Sequence, residues 1–384
     1  MRNLKPCKSA PSNGRIAVRT VVHRLLWPLL VVALILAVPS AGQDAASQIR
    51  AEAERLQYSL KDKPISYLQI PNASATLTDG LKEVVQGQSA GRLYISLEKL
   101  GQMTDFLYGV RAATDKTEAV QSGFPAYEAE WEKVSLSITA VDRRVSEKNW
   151  DSASVAVRAF SETAQSMTVP LLEGARGFAI SMQPKDGLFN LGQAQGQAEF
   201  ASFCSKLNLS RKGKPYPLRS VMPELQILQK KANAAFQPPR SVDLHTLFMS
   251  LNSALKQGQE LDARRSYAGA LFQYLHAVGY YGMLNVQPPD PLQLSALKSA
   301  LATARRKLDA SERDESIAEF FVEKGESHVA PLDGSAPTTD DWKIAKVVVE
   351  QVLPAYFAVD NTLVAQEGAP SKSIDVTLVR WPFT

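Results

Sequence analysis

The chain has 384 residues, 45% of them hydrophobic and 21% charged, with a formal charge of +4. That content excludes a disordered chain and supplies one large core or two ordinary ones. The positive charge is local: six of the 43 basic residues (Arg2, Lys5, Lys8, Arg15, Arg19 and Arg24) precede the first long apolar run with no acid among them, and the other 37 face 39 acidic residues. The body therefore has no basic excess with which to bind nucleic acid.

The N-terminus continues with LLWPLLVVALILAV and then PSAGQDA. A basic segment, an apolar run, the helix-breaking Pro39 and the small Ser40 and Gly42 make the pattern of a signal peptide over residues 1–42, cut near Gln43. An uncleaved signal anchor is the alternative, because Leu25 to Ala41 makes 17 residues, the short limit of a span. Pro28 and Pro39 leave about ten uninterrupted apolar residues, an h-region length, and favour cleavage. With the basic end held inside, the body is expected to be exported to the periplasm or beyond the cell. Membrane or inner-membrane attachment would come only through an uncleaved N-terminal segment. Cysteine occurs at Cys7 and Cys204 alone, so the processed chain closes no internal disulfide, and Cys204 in AEFASFCSKL reads as a buried inert thiol.

Past Gln43 the pattern is helical. DAASQIRAEAERLQYSL predicts a first helix, and ISYLQIP, between Pro64 and Pro71, a short extended piece. In GRLYISLEKLGQMTDFLYGVRAA, Leu93, Leu97, Leu100, Met103, Leu107 and Val110 recur at three- and four-residue spacing, which is a core face. PAYEAEWEKVSLSITAVDRRVS follows, then DSASVAVRAFSETAQSMTVPLLEGARGFAISM, which Pro170 should kink or split. NLGQAQGQAEFASFCSKL completes an N-terminal helical domain over 43–209. NLSRKGKPYPLRS, with two prolines and a glycine, marks the boundary to a second helical domain over 210–360.

The second half repeats the style in PELQILQKKANAAF, DLHTLFMSLNSALKQGQELDARR, RSYAGALFQYLHAVGYYGML, QLSALKSALATARRKLDA, ERDESIAEFFVEKG and DDWKIAKVVVEQVLPAYFAV, with a polar loop between Glu326 and Asp340. The ending changes period. SIDVTLVRW alternates Ile374, Val376 and Leu378 against Asp375 and Thr377, and with TLVA at 362–365 predicts a short β tail over 361–384. The expected fold is all-α: helical hairpins, a bundle or an irregular α-solenoid in two halves, with that short C-terminal β segment.

RSYAGALFQYLHAVGYYGML, residues 265–284, has no charge after Arg265. Tyr267, Ala270, Leu271, Tyr274, Ala277, Val278 and Tyr281 form one stripe, a core face with Tyr274 filling space between small residues. Phe272, His276 and Tyr280 align at i, i+4 and i+8 on the opposite face, where an ordinary amphipathic helix carries charge. This second ribbon is either another core face or the lining of a ligand or partner groove with His276 as its polar handle.

Gly258, Leu261, Tyr267, Ala270, Tyr274 and Ala277 occupy the small, aromatic and alanine positions of a helical hairpin over 254–282 that resembles one tetratricopeptide repeat. The pattern departs at Ala254, Gln257 and Gly282, and no 34-residue period runs through the chain. The resemblance implies a helical hairpin and a protein or peptide partner of unknown identity.

No catalytic residue, metal ligand set or cofactor motif stands out. The S-x-x-K matches at Ser96/Lys99, Ser253/Lys256 and Ser295/Lys298 lack the S-D-N and K-T-G partners of serine enzymes. His245, His276 and His328 lie in no metal motif. Glu128 and Glu132 beside Trp131, and Glu312, Glu315 and Glu319 on one helix face, are read as solvated faces, as is the loop trio Ser327, His328 and Asp333 as chance. The sequence thus points to an exported helical binding or scaffolding protein; the alternative is an exported enzyme acting on cell-envelope material through a carboxylate site outside known motifs.

Overall fold

The computed structural model describes residues 44–62, 65, 71–117, 120, 123–235, 244–288 and 290–361. The expected signal peptide, most of ISYLQIP and the expected β tail beyond Asn361, which ends the last helix, lie outside the described residues. Among these, the protein is helical and contains no strand, only isolated bridges such as Ala153 to Ser210 and Lys214 to Arg313. The helices are α1 (Ala45–Asp62), α2 (Ala73–Ser89), α3 (Leu93–Asp115), α4 (Phe124–Ser146), α5 (Val155–Ile180), α6 (Pro184–Lys206), α7 (Met222–Ala235), α8 (His245–Ala263), α9 (Tyr267–Asn285), α10 (Pro291–Asp309), α11 (Ser316–Val329), α12 (Thr339–Val347) and α13 (Leu353–Asn361). None of them is long and apolar enough to cross a membrane.

Residues 44–361 belong to one compact unit. Its main hydrophobic cluster takes side chains from α1 and α3 as well as α9 and α11, so it continues across the expected boundary at residue 210. A smaller cluster joins α4 to α5 and α6 around Tyr127, Trp131 and Leu172. Helix α5 is the centre of the assembly, packing on α6, α9, α4, α8 and α11. It runs through Pro170 without a break. Burial of Phe160, Ala164, Leu172 and Ala175 on either side of that residue outweighs the roughly 3 kcal/mol that an interior proline costs. A second proline is handled differently: a π turn, Val348–Val352, precedes Pro354, and the Leu353 amide donates back to the Val348 carbonyl.

Helix α2 is the element that sequence periodicity did not reveal. Its buried positions are Ala73, Leu77, Gly80, Leu81, Val84 and Gly87, a true helical stripe in which glycines stand for two of the apolar residues. A Cβ at Gly80 would overlap the Met103 sulfur of α3, so the missing side chain allows close packing.

The same device sets the α3–α6 pair. Gly192 and Gly196 lie one turn apart on α6; a Cβ at Gly192 would overlap the Tyr108 carbonyl, and one at Gly196 would lie 2.8 Å from the Asp105 Cα. Backbone therefore meets backbone, which brings Gln193 and Gln197 against Asp105 of α3.

Helices α3, α5 and α9 receive no cap from their own N-cap side chains. Distant carboxylates take that place. Glu323 of α11 accepts the Tyr94 and Ile95 amides at 2.9 and 3.0 Å, Glu162 of α5 accepts the Gly269 amide at 2.8 Å, and Asp314 accepts the Val155 and Ser316 amides at 2.8 and 3.1 Å. Asp262 of α8 accepts the Val221 amide just ahead of α7 at 2.6 Å. These buried acids satisfy orphan helix donors and complement the positive ends of the helix dipoles, which explains acids inside an α-helical core without a metal or a catalytic role.

Candidate functional site

Helices α3, α5, α6, α8 and α9 surround a groove of about 410 Å³, within the size range of small-molecule sites. Phe160, Phe200, Phe272 and Tyr280 give it aromatic walls; Glu98, Gln102 and Asp105 from α3, Gln197 from α6, and Ser250, Ser253 and Gln257 from α8 give it polar ones. Phe272, His276 and Tyr280 thus lie on one groove, but they grade from core to rim. Phe272 is buried and its ring centroid lies 5.1 Å from those of Phe160 and Phe320. The His276 ring lies 5.3 Å from Phe321, and Tyr280 is half-buried. On the other stripe, Ala270, Leu271, Ala277 and Val278 are buried, whereas Tyr267, Tyr274 and Tyr281 are only partly so. Helix α9 is therefore enclosed around much of its circumference, with Tyr274 towards its edge.

The groove holds polar atoms without partners. Asp105 Oδ1, Thr163 Oγ1 and His276 Nε2 are out of contact with solvent and have no hydrogen-bond partner. On the other side of its carboxyl, Asp105 Oδ2 accepts from Gln193 Nε2 at 3.1 Å. Burial pushes the Asp105 pKa up to about 7 against the opposing pull of the Gln193 and Gln197 amides. His276 is part-exposed as a residue, yet its enclosed ring has its pKa driven well down, by burial first and by the Lys324 charge second. It is a neutral imidazole at physiological pH. Glu98 has a cation already, Lys324 Nζ at 3.4 Å.

A smaller cleft of about 270 Å³ contains Ser96 and Lys99. Both are engaged elsewhere: Ser96 Oγ donates to the Arg92 carbonyl and Lys99 pairs with Glu83 at 2.7 Å. Ser327 and Asp333 line this same cleft while His328 does not, and each of the three is engaged by a local partner. His328 Nδ1 bonds Asp341 at 2.8 Å, while Ser327 Oγ donates to the Lys324 carbonyl and Asp333 accepts the Ser335 amide. Trp131 donates to the Leu172 carbonyl from within the core. Glu128, Glu132, Glu312, Glu315 and Glu319 line neither cavity; Glu315 and Glu319 are buried rather than part of a solvated face, Glu315 accepting from Tyr356 and Ser311 and Glu319 from Lys212. Cys204 is fully buried and burial pushes its thiol far up. Among the described residues no group of His, Cys, Asp and Glu forms a metal site.

Asp105, Gln197 and Glu98 were hidden in the sequence because they occupy polar positions of α3 and α6, which look solvent-facing in isolation. The available signal was the Gly192/Gly196 spacing in NLGQAQGQAEF, which places a second helix on that polar face.

The acids set a pH profile for stability. Burial raises Asp105 and also Glu323, the latter to about 7 against its amide donors and Arg305, so both contribute stability that is full below about pH 4 and lost as pH rises through about 7. His276, depressed, works the other way below about pH 6.5, and Asp341, held at about 2 by His328 and Thr338, loses its contribution as pH falls from about 4 to about 2. Two raised acids exceed one depressed histidine between pH 4.5 and 6.5. Urea unfolding should therefore give maximal stability at about pH 4 to 5 and at least about 2 kcal/mol less at pH 8, after allowance for solvent screening, with the loss reduced in Asp105→Asn. A profile that rises steadily to pH 8 would contradict the burial of both acids.

No family model matches the chain, and neither a curated protein nor a solved structure is similar to it.

Proposed function

We propose that the protein is an exported helical binding protein whose groove between α3, α5, α6, α8 and α9 receives a small ligand or one side chain of a protein or peptide partner. The observation that carries this reading is the combination in one cavity of four aromatic rings with buried polar atoms that lack partners, Asp105 Oδ1 and Thr163 Oγ1. A buried polar atom without a partner costs about 1 to 3 kcal/mol, and a ligand that supplies the partner recovers that free energy on binding. The α8–α9 hairpin, where the tetratricopeptide resemblance lies, forms one side of the groove. The basic, apolar and small-residue order of the N-terminus supports export, and intact-mass measurement of the periplasmic protein tests it through a new N-terminus near Gln43.

The groove is tested by ligand-observed NMR with a small-molecule fragment set. Gln102 and Ser253 are exposed at its rim, so Gln102→Trp and Ser253→Trp fill the opening without touching the core. Fragments should bind the wild type and lose at least tenfold in affinity on both variants, whose circular dichroism stays unchanged. Fragment binding that both variants retain, or no binding at all, would remove the groove as a site.

A further inference from the structure

We infer that the groove takes an organic cation, a primary amine on an aromatic or branched apolar body, with its ammonium at Asp105 and its body against Phe160, Phe200, Phe272 and Tyr280. This inference rests on the binding reading above and adds the chemical class of the ligand.

The argument begins with charge. Among the described residues that line the groove there are two acids, Glu98 and Asp105, and no lysine or arginine. They stand two turns apart on α3 and differ in their partners. Lys324 already compensates Glu98, which leaves Asp105 as the carboxyl without a cation. The groups that meet Asp105 from the facing helix α6 are the Gln193 and Gln197 amides, and Gly196 packs on its backbone. His276 across the groove is neutral. An anionic ligand would therefore enter a site with an uncompensated acid and no countercharge. A neutral polyol would supply a hydrogen bond but no charge.

The walls complete the selection. Phe200 leans on Gly101, where a Cβ would meet its ring at 2.7 Å, one helical turn before Asp105. An aromatic ring thus shares the groove with the carboxyl one turn away, and cations favour aromatic rings in a desolvated setting. Phe160 and Phe272, with centroids 5.1 Å apart, extend that apolar surface deeper. An ammonium arriving at Asp105 supplies the donor that Oδ1 lacks.

Binding an ammonium favours the carboxylate over the carboxylic acid, so the protein releases a proton when the amine binds below about pH 7. Affinity should fall towards about tenfold per pH unit below that point and level off above it.

The test uses calorimetry with three probes of one shape: 2-phenylethylamine, 2-phenylethanol and 3-phenylpropionate, at about pH 8 and pH 6, on the wild type, Asp105→Asn and Gln102→Trp. The amine should bind at least tenfold tighter than the alcohol at pH 8, and that preference should shrink at pH 6 and collapse in Asp105→Asn. Amine binding should be lost in Gln102→Trp, and the carboxylate probe should not bind. Equal binding of amine and alcohol, with both lost in Gln102→Trp, would overturn the cation assignment and leave the groove reading intact. Amine binding that survives Gln102→Trp would place it elsewhere on the molecule and overturn the inference, as would an amine preference that survives Asp105→Asn. Failure of all three probes would also overturn it, while the fragment set separately decides whether the groove binds anything.

Discussion

Phe320→Ala should lower the unfolding free energy by about 4 kcal/mol, seen as a lower urea midpoint with an unchanged slope. Phe320 is fully buried, and its ring centroid lies 5.6 Å from Phe160, 5.1 Å from Phe272, 4.9 Å from Phe321 and 5.9 Å from His276. Those neighbours belong to α5, α9 and α11, so the ring ties three helices together. Truncation removes the apolar transfer term and leaves a void, because the neighbouring rings are held by helices that cannot all close on it. Tyr274→Ala should cost less than Phe320→Ala, since Tyr274 is half-buried and its neighbours at the edge can be replaced by water. A Phe320→Ala midpoint equal to wild type would mean that this cluster contributes little to holding α5, α9 and α11 together.

The contrast between Phe320 and Tyr274 shows where sequence patterning succeeds. Leu97, Leu100, Leu107 and Val110 recur with the helical period and are all buried, because a dense aliphatic stripe leaves the helix only one face to bury. Residues 265–284 offered two aromatic stripes, and periodicity alone does not rank them. The ranking comes from neighbours far along the chain: Phe160 and Phe320 converge on Phe272, whereas Tyr274 is left half-buried. Helix α2 was silent for a related reason, since glycine at buried positions weakens the apolar signal while strengthening the packing.

The candidate site was legible by half. The Phe272, His276 and Tyr280 ribbon could be read as one side of a groove, because it placed aromatic rings where charge was expected. Its other side comes from Asp105 and Gln197, which are ordinary polar residues until Gly192 and Gly196 bring α6 onto α3. The acid pairs of α4 and α11 conveyed chemistry that the fold does not assemble. Glu315 instead receives the Tyr356 and Ser311 hydroxyls, and the acids that serve helix starts, Asp314 and Glu323, are their neighbours, a use that depends on distant amides and leaves no local motif.

That use leads to the second large effect. Asp314→Ala should destabilise the protein by about 3 to 6 kcal/mol, through two lost hydrogen bonds to a charged acceptor at about 1.5 to 3 kcal/mol each. Asp314 is only 2% exposed, and it accepts the first amide of α5, from Val155, and the first amide of α11, from Ser316. Alanine leaves both donors enclosed without an acceptor, at the positive ends of two helices. Ser316 Oγ accepts the next amide of α5, from Ala156, at 2.9 Å, so the start of α5 depends on the turn that carries Asp314. Asp314→Asn should fall between wild type and alanine, since its amide oxygen can still accept but its NH2 group would face a backbone donor. Hydrogen exchange gives the sharper readout: amides from Val155 to Arg158 and from Ser316 to Glu319 should lose protection in Asp314→Ala before the rest of α5 and α11. A stability within about 0.5 kcal/mol of wild type, with those amides still protected, would show that the two helix starts find other acceptors and that the carboxylate does not hold α5 to α11.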